Sequence, residues 1–267
     1  MLEKLKPGER LLILSPHLDD AVLSVGGIME RSINSGVAVF AGTIFTADAN
    51  EAVISSPRVK ELHSLWGLGD NPTRIRREED IAAVQSLGSD YIHGNLPDAI
   101  YRTDKDGEAL YPTTKAVFSE PSPKDEVWQA VRGLLEEWLN GIKPGIVLCP
   151  LAVGRHVDHV ITSEAFRRLK SAEKPDIFLY EDMPYSAGFS PSASPDTVDN
   201  AISRSRWAVG PAIRVPVDTE KKVAAILKYK SQLAELFPHG KAVDKEMKSY
   251  MCLGSKDAFK ERLWPAQ

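Results

Sequence analysis

Apolar positions along this chain fall into two alternating rhythms. Short, nearly unbroken apolar runs at residues 11–14, 37–45, 90–92, 146–149 and 177–180 read as buried strands. Between them the apolar residues recur at helical spacing. Val22, Leu23, Val25, Ile28 and Met29 mark a helix over 20–35 that stops at Gly36. A second helix, acidic in its first half, spans 73–87 and stops at Gly88; a third spans 124–139, with Val127, Trp128, Val131, Leu134, Leu135 and Trp138 on one face. Strand–helix alternation of this kind predicts an α/β fold: a mostly parallel sheet with helices on both faces. The tail predicts a strand or two over 207–217 and one helix over 219–236.

Two segments break the rhythm. Residues 94–124 are rich in Pro, Gly, Asp and Thr and carry Tyr101, Tyr111 and Phe118; residues 183–200 are rich in Ser and Pro. Long ordered loops in compact domains often serve as lids or specificity elements. The first is expected to be a loop or lid insertion; the second reads equally as a surface excursion. With no internal repeat and no linker, residues 1–267 read as a single domain.

The polar residues that matter sit where two of the strands end. The run 11–14 terminates at Ser15-Pro16, because Pro16 cannot continue a central ladder, and His17, Asp19 and Asp20 follow. Far downstream the run 146–149 is followed by His156, Asp158 and His159. Open α/β sheets bind ligands at the carboxyl ends of their strands. Three of the six histidines fall in these two turns. Two imidazoles and a carboxylate, His17, Asp20 and His159, form a ligand class that zinc hydrolases use, with one position left for water. Asp19 then reads as a general base and His156 as an acid or oxyanion stabiliser. Asp158 is placed to orient the His156 imidazole and keep it charged. Other readings stay open: adjacent aspartates after a strand are common helix N-caps, and HVDH can be a solvated first helical turn.

Composition narrows the partners. The balance of 33 basic and 37 acidic residues, a formal charge of -4, gives no footprint for nucleic acid and no polybasic anchor for a membrane. Neither a signal-peptide core nor an apolar stretch long enough to span a bilayer is visible, so a cytoplasmic location is expected. Cys149 and Cys252 supply neither a zinc-thiolate set nor a disulfide framework. A homo-oligomer is left open.

The segment PHLDDAVLSVGG, with HVDH far downstream, resembles the PIG-L/LmbE-like zinc-dependent deacetylases, which remove the N-acetyl group from N-acetylglucosamine-containing substrates. The resemblance implies a Rossmann-like sheet and zinc held by His17, Asp20 and His159. It also implies Asp19 as the base and His156 in the oxyanion or acid role. Arg76, within RIRREED, matches an arginine implicated in substrate binding; YEDMPY and KYKSQ resemble weaker landmarks. Leu18 and Ala21 replace the family's commoner proline and glutamate. Gly154 stands where some members carry a tyrosine that assists the oxyanion.

Together these readings predict a metal-dependent N-deacetylase acting on a small-molecule amino sugar or its conjugate. The expected cofactor is Zn2+, although imidazole and carboxylate suit other divalent transition metals. Arg76 and Arg102 are the candidate substrate contacts, Arg102 because it lies in the 94–124 loop. Asp48 also follows a strand, Glu181 and Asp182 follow another and are candidates for contacts behind the ligands, while His63, His93 and His239 read as structural. An amidase of another N-acyl or thiol conjugate is the alternative. A non-catalytic binding protein is a third reading, weakened because Gly26-Gly27 lacks a phosphate-cradling G-x-G-x-x-G spacing.

Overall fold

The computed structural model describes residues 6–49, 51–54, 56–68, 72–169, 175–188, 195–237, 242–252 and 259–267. Its strands are β1 (Arg10–Ser15), β2 (Ala38–Thr43), β3 (Asp90–His93), β4 (Ile146–Pro150), β5 (Asp176–Tyr180), β6 (Ile213–Pro216) and β7 (Lys260–Ala266). They form one seven-stranded sheet in the order β3-β2-β1-β4-β5-β7-β6. The five strands from β3 to β5 run parallel, and β7 lies antiparallel between β5 and β6.

Burial on both faces explains why the central strands read as continuous apolar runs. Leu11 and Ile13 point into one core with Val22, Val25 and Ile28 of helix Asp20–Asn34; Leu12 and Leu14 point into the other with Val131, Leu135 and Trp138 of helix Val127–Ile142. Gly42 in β2 is required by this packing, because a Cβ there would lie 2.6 Å from the Trp138 ring.

The order of the strands decides where the site lies. The chain leaves β1 toward β2 and β3, then returns to place β4 on the other side of β1. The carboxyl ends of β1 and β4 therefore border the crevice at which the winding reverses, the usual ligand position in such sheets. His17–Asp20 follow β1 and His156–His159 follow β4, so topology alone brings the two turns together.

Three features differ from the sequence-based expectation. The helix expected over 219–236 is broken into Glu220–Ile226 and Leu233–Leu236. The intervening turn buries Tyr229, whose hydroxyl donates to Asp80 at 2.8 Å, while Ser231 binds Glu79 through its backbone N–H and its hydroxyl. The region 207–217 does give the expected strand or two, as one strand, β6, and a single bridge from Val209 to Ala266. Strand β7 and helix Val243–Met251 were not expected at all.

Candidate active site

The turn after β1 is locked by its own polar groups. The Ser15 hydroxyl donates to the His17 carbonyl at 2.8 Å and accepts from Ala21 N–H at 3.0 Å; Asp20 Oδ2 accepts the His17 N–H at 2.8 Å. That same oxygen lies 3.3 Å from His17 Nδ1 and 3.2 Å from His159 Nε2. These separations match the edge of a tetrahedral zinc site, about 3.3 Å for ligand bonds near 2.0–2.1 Å. The far nitrogen of each ring is held by a carboxylate: His17 Nε2 lies 3.0 Å from Asp158 Oδ2, and His159 Nδ1 lies 2.6 Å from Asp182 Oδ1. Carboxylates behind metal-ligating imidazoles fix the ring and its tautomer in this way. Buried His159 Nε2 has the Asp20 carboxylate beside it at 3.2 Å, outside hydrogen-bond geometry, and is open to a cation held between the two.

The surrounding charges favour positive charge on both rings. Burial opposes it, yet Asp98, Asp158 and Asp20 hold the His17 pKa well above the ordinary value. Burial likewise opposes charge on His159, but Asp20 and Asp182 raise its pKa to about 9. Asp20, against its own burial, is held low by His159 and His17. A divalent ion would displace the protons that this nest otherwise attracts. Among the described residues, the groups whose ligand atoms all lie within 4.8 Å of one another are His17, His156 and His159, and His17, Asp98 and Asp158; Asp20 lies close to His17 and His159 pairwise.

Asp19 departs from the capping role that adjacent aspartates often take. Its side chain makes no cap hydrogen bond to helix Asp20–Asn34. It lines a cavity of about 520 Å3 instead, 3.6 Å from Arg76 Nη2. Burial and the neighbouring Asp20 raise its pKa to about 7, a range suited to a general base. Arg76 stands apart from the other charges of helix Pro72–Ser86. Arg74 pairs with Glu78 and Arg77 with Asp48, whereas Arg76 stacks over Trp66 at 5.0 Å and faces the cavity.

His156 lines the same cavity, edge-on to His17 at 4.6 Å and to Phe118 at 5.2 Å between ring centroids. Its Nδ1 accepts the Asp158 N–H at 3.2 Å, which leaves Nε2 to carry the proton of the neutral ring. Burial and the neighbouring His17 push its pKa well below the ordinary value.

Two expected roles change. The Asp158 carboxylate does not pair with the His156 ring; it binds His17, accepts Ala99 N–H at 3.0 Å and meets Arg102 Nη2 at 2.6 Å. Only the Asp158 backbone orients His156. Arg102 does not reach the cavity. It is 5% exposed, with Nε on Asp125 at 3.0 Å and Nη1 on the Pro97 carbonyl at 3.0 Å, and is sandwiched by Phe45 and Tyr111. The reason is electrostatic: the buried Asp158 and Asp125 need a cation, and Arg102 is the one supplied. Residues 94–124 nevertheless form a wall of the cavity through Asp98, Ile100, Thr114, Val117 and Phe118.

Other contributors were not singled out by sequence. Trp66, Asp98 and Tyr185 line the cavity. Asp182, expected as a contact behind the ligands, holds His159 as that reading requires. Tyr185 occupies the space above Gly154, where a Cβ would lie 2.6 Å from its ring; Gly154, at φ +85°, is required twice over. His93 binds Asp80 at 2.9 Å and His63 binds Tyr101 at 2.8 Å, both away from the cluster. His239 lies outside the described residues.

Fold and cluster together define a hydrolase that works at the carboxyl edge of a Rossmann-like sheet. The signature of the PIG-L family, described as GlcNAc-PI de-N-acetylase, matches residues 12–170, and the chain belongs to that family. It is accordingly an N-deacetylase, a hydrolase of amide bonds. It is similar to a 2'-N-acetylparomamine deacetylase of Niallia circulans, 28% identical over 85% of this chain and 82% of the relative. A protein of the same name from Streptomyces fradiae is 30% identical over 69% of this chain and 60% of the relative. Among solved structures, the zinc inhibited form of a teicoplanin deacetylase superposes with a TM-score of 0.83 at 28% identity, covering 97% of this chain and 98% of that one. Among the described residues no helix is long and apolar enough to cross a membrane.

Proposed function

We propose that the protein removes the N-acetyl group from an N-acetylglucosamine-type amino sugar or its conjugate, with Zn2+ or a related divalent ion held by His17, Asp20 and His159. One observation carries the reading. Two imidazoles, each backed by a buried carboxylate, turn their free nitrogens to within 3.3 Å of one Asp20 oxygen, beside an aspartate that caps nothing. When bound, such an ion would supply Lewis-acid activation of water and of the amide carbonyl.

The chain's own residues would do the rest. Asp19 accepts the proton of the attacking water, its affinity for that proton raised by burial and by Asp20. His156 donates Nε2–H to the oxygen that gains charge as water adds to the carbonyl carbon. The C–N bond then breaks, the proton passes to the leaving nitrogen, and acetate and the free amine depart. Arg76, beside Asp19 and braced on Trp66, offers its guanidinium to sugar oxygens near the amide. Asp158 is a positioning residue, binding His17 through its carboxylate and His156 through its backbone N–H.

The names of the relatives support an acetylated amino sugar as substrate. The test is Asp19→Asn, which should keep the metal and reduce turnover by about 100-fold or more. Unchanged turnover in that variant would defeat the mechanism.

A further inference from the structure

The turn between helices Glu220–Ile226 and Leu233–Leu236 is fastened to helix Pro72–Ser86 at two points. Tyr229 donates to Asp80 Oδ1 at 2.8 Å, and Ser231 gives its backbone N–H and its hydroxyl to the two oxygens of Glu79 at 3.0 and 2.6 Å. The next residue, Gln232, is only 4% exposed and lines the cavity. Chemistry fixes the orientation of its amide. The Ser231 hydroxyl gives its hydrogen to Glu79, so Ser231 Oγ can only accept, and the Gln232 atom 3.0 Å from it must be the Nε2 donor. Oε1 is the unused half of the amide: among the described residues nothing donates to it. A structural brace would need the donor alone. An acceptor without a partner, on a nearly buried side chain at a ligand cavity, calls for a donor from the ligand. Arg76 belongs to the same wall. It stacks on Trp66 at 5.0 Å, and Trp66 donates Nε1–H at 3.0 Å to Glu235, one turn beyond Gln232. Helix Pro72–Ser86 thus presents a donor directly, through Arg76, and an acceptor indirectly, through Glu79, Ser231 and Gln232. A hydroxyl can meet either one, because it both accepts and donates.

We infer that Gln232 is a specificity-determining residue: its Oε1 accepts a hydrogen bond from a hydroxyl of the substrate's acetylated ring, with Ser231 and Glu79 as positioning residues. The inference rests on the deacetylase reading and adds to it a contact that selects hydroxylated substrates. An acylated amine lacking that hydroxyl would shut Oε1 away from water with no donor, so the site discriminates against it.

Acetate release by the metal-loaded protein is measured for an N-acetylglucosaminyl cyclitol and for its monodeoxy analogues, each lacking one hydroxyl of the acetylated ring. With wild type, one analogue should lose about tenfold or more in kcat/KM relative to the parent compound. Gln232→Met keeps the shape of the side chain and removes the amide oxygen. In that variant the parent should fall by a similar factor, and the same analogue should fall no further. Ser231→Ala frees the amide to turn and should blunt the same preference; it decides the question if Gln232→Met does not fold. A merely structural Gln232 would lower parent and analogues by one common factor. That result, or no sensitive analogue in wild type, or unaltered kcat/KM in Gln232→Met, would overturn the inference while leaving the deacetylase intact. If no compound releases acetate, the deacetylase reading fails, and the same ratios taken from calorimetric Kd values decide the contact. A parent compound that does not bind at all would overturn both.

Discussion

A buried imidazole serves a cation well when its far nitrogen is fixed, and both histidines of the nest meet this condition. Asp182 holds His159 at 2.6 Å while accepting Val153 N–H at 2.8 Å, so it ties the ring to the backbone after β4. Asp182→Ala should therefore weaken metal affinity by about 10–100-fold without changing the ligands, as read by competition against a zinc chelator. His156 sits close enough to compete as a ligand, yet its Nδ1 is occupied by a backbone N–H. His156→Ala should retain the metal and lose most turnover; loss of the metal would make His156 a ligand instead. Arg102→Met should act on stability. It strands Asp158 and Asp125 in the interior at a cost of about 3–5 kcal/mol, visible in denaturant unfolding. Sequence made the two histidine turns visible because their residue types and spacing carry chemistry. It misplaced Arg102 because a loop arginine looks the same whether it faces substrate or a buried aspartate.

At the scale of elements, the helix after β1 carries the site and is itself held from the far end of the chain. Val25 leaves helical geometry at φ -132°, ψ 21°, and the Glu261 carboxylate of β7 accepts the N–H groups of Gly27 and Ile28 at 3.0 and 2.8 Å. Lys222, fully buried, neutralises Glu261 at 2.7 Å. Lys222→Met should cost about 3–5 kcal/mol, because an uncompensated carboxylate would remain beside the kink. Unfolding midpoints within experimental error of wild type would refute that. The parallel strands were legible because burial on both faces demands continuous apolar runs, as in Leu11 to Leu14. β7 was not, because Lys260, Glu261 and Arg262 obscure its alternation and the partner of Glu261 lies 39 residues away. The break at Tyr229 was likewise hidden, since its cause is a contact with Asp80 149 residues away.

For the whole molecule, the decisive fact is topological. His17 and Asp158, 141 residues apart, meet at 3.0 Å because β1 and β4 are neighbours at the point where the winding reverses. A metal at that junction would join the two halves of the sheet and bind only the folded state. Zinc at 100 times its dissociation constant should add about 2.7 kcal/mol. That corresponds to a rise in Tm of several degrees, roughly 2–4 °C per kcal/mol for a large domain. A chelator should reverse it. Sequence reached the fold class and the cluster through the two strand-end turns. It reached one part of the cavity wall, the 94–124 segment, but did not single out Trp66, Asp98 and Tyr185, which come from separate elements with no shared motif.

The most direct test of the central claim is the metal content of the purified protein, measured with acetate release from an N-acetylglucosaminyl conjugate in the same sample. About one divalent ion per chain is expected, with chelator-sensitive acetate release. His159→Ala should lose ion and activity together. Full activity in metal-free protein, or an ion retained undiminished in His159→Ala, would contradict the account.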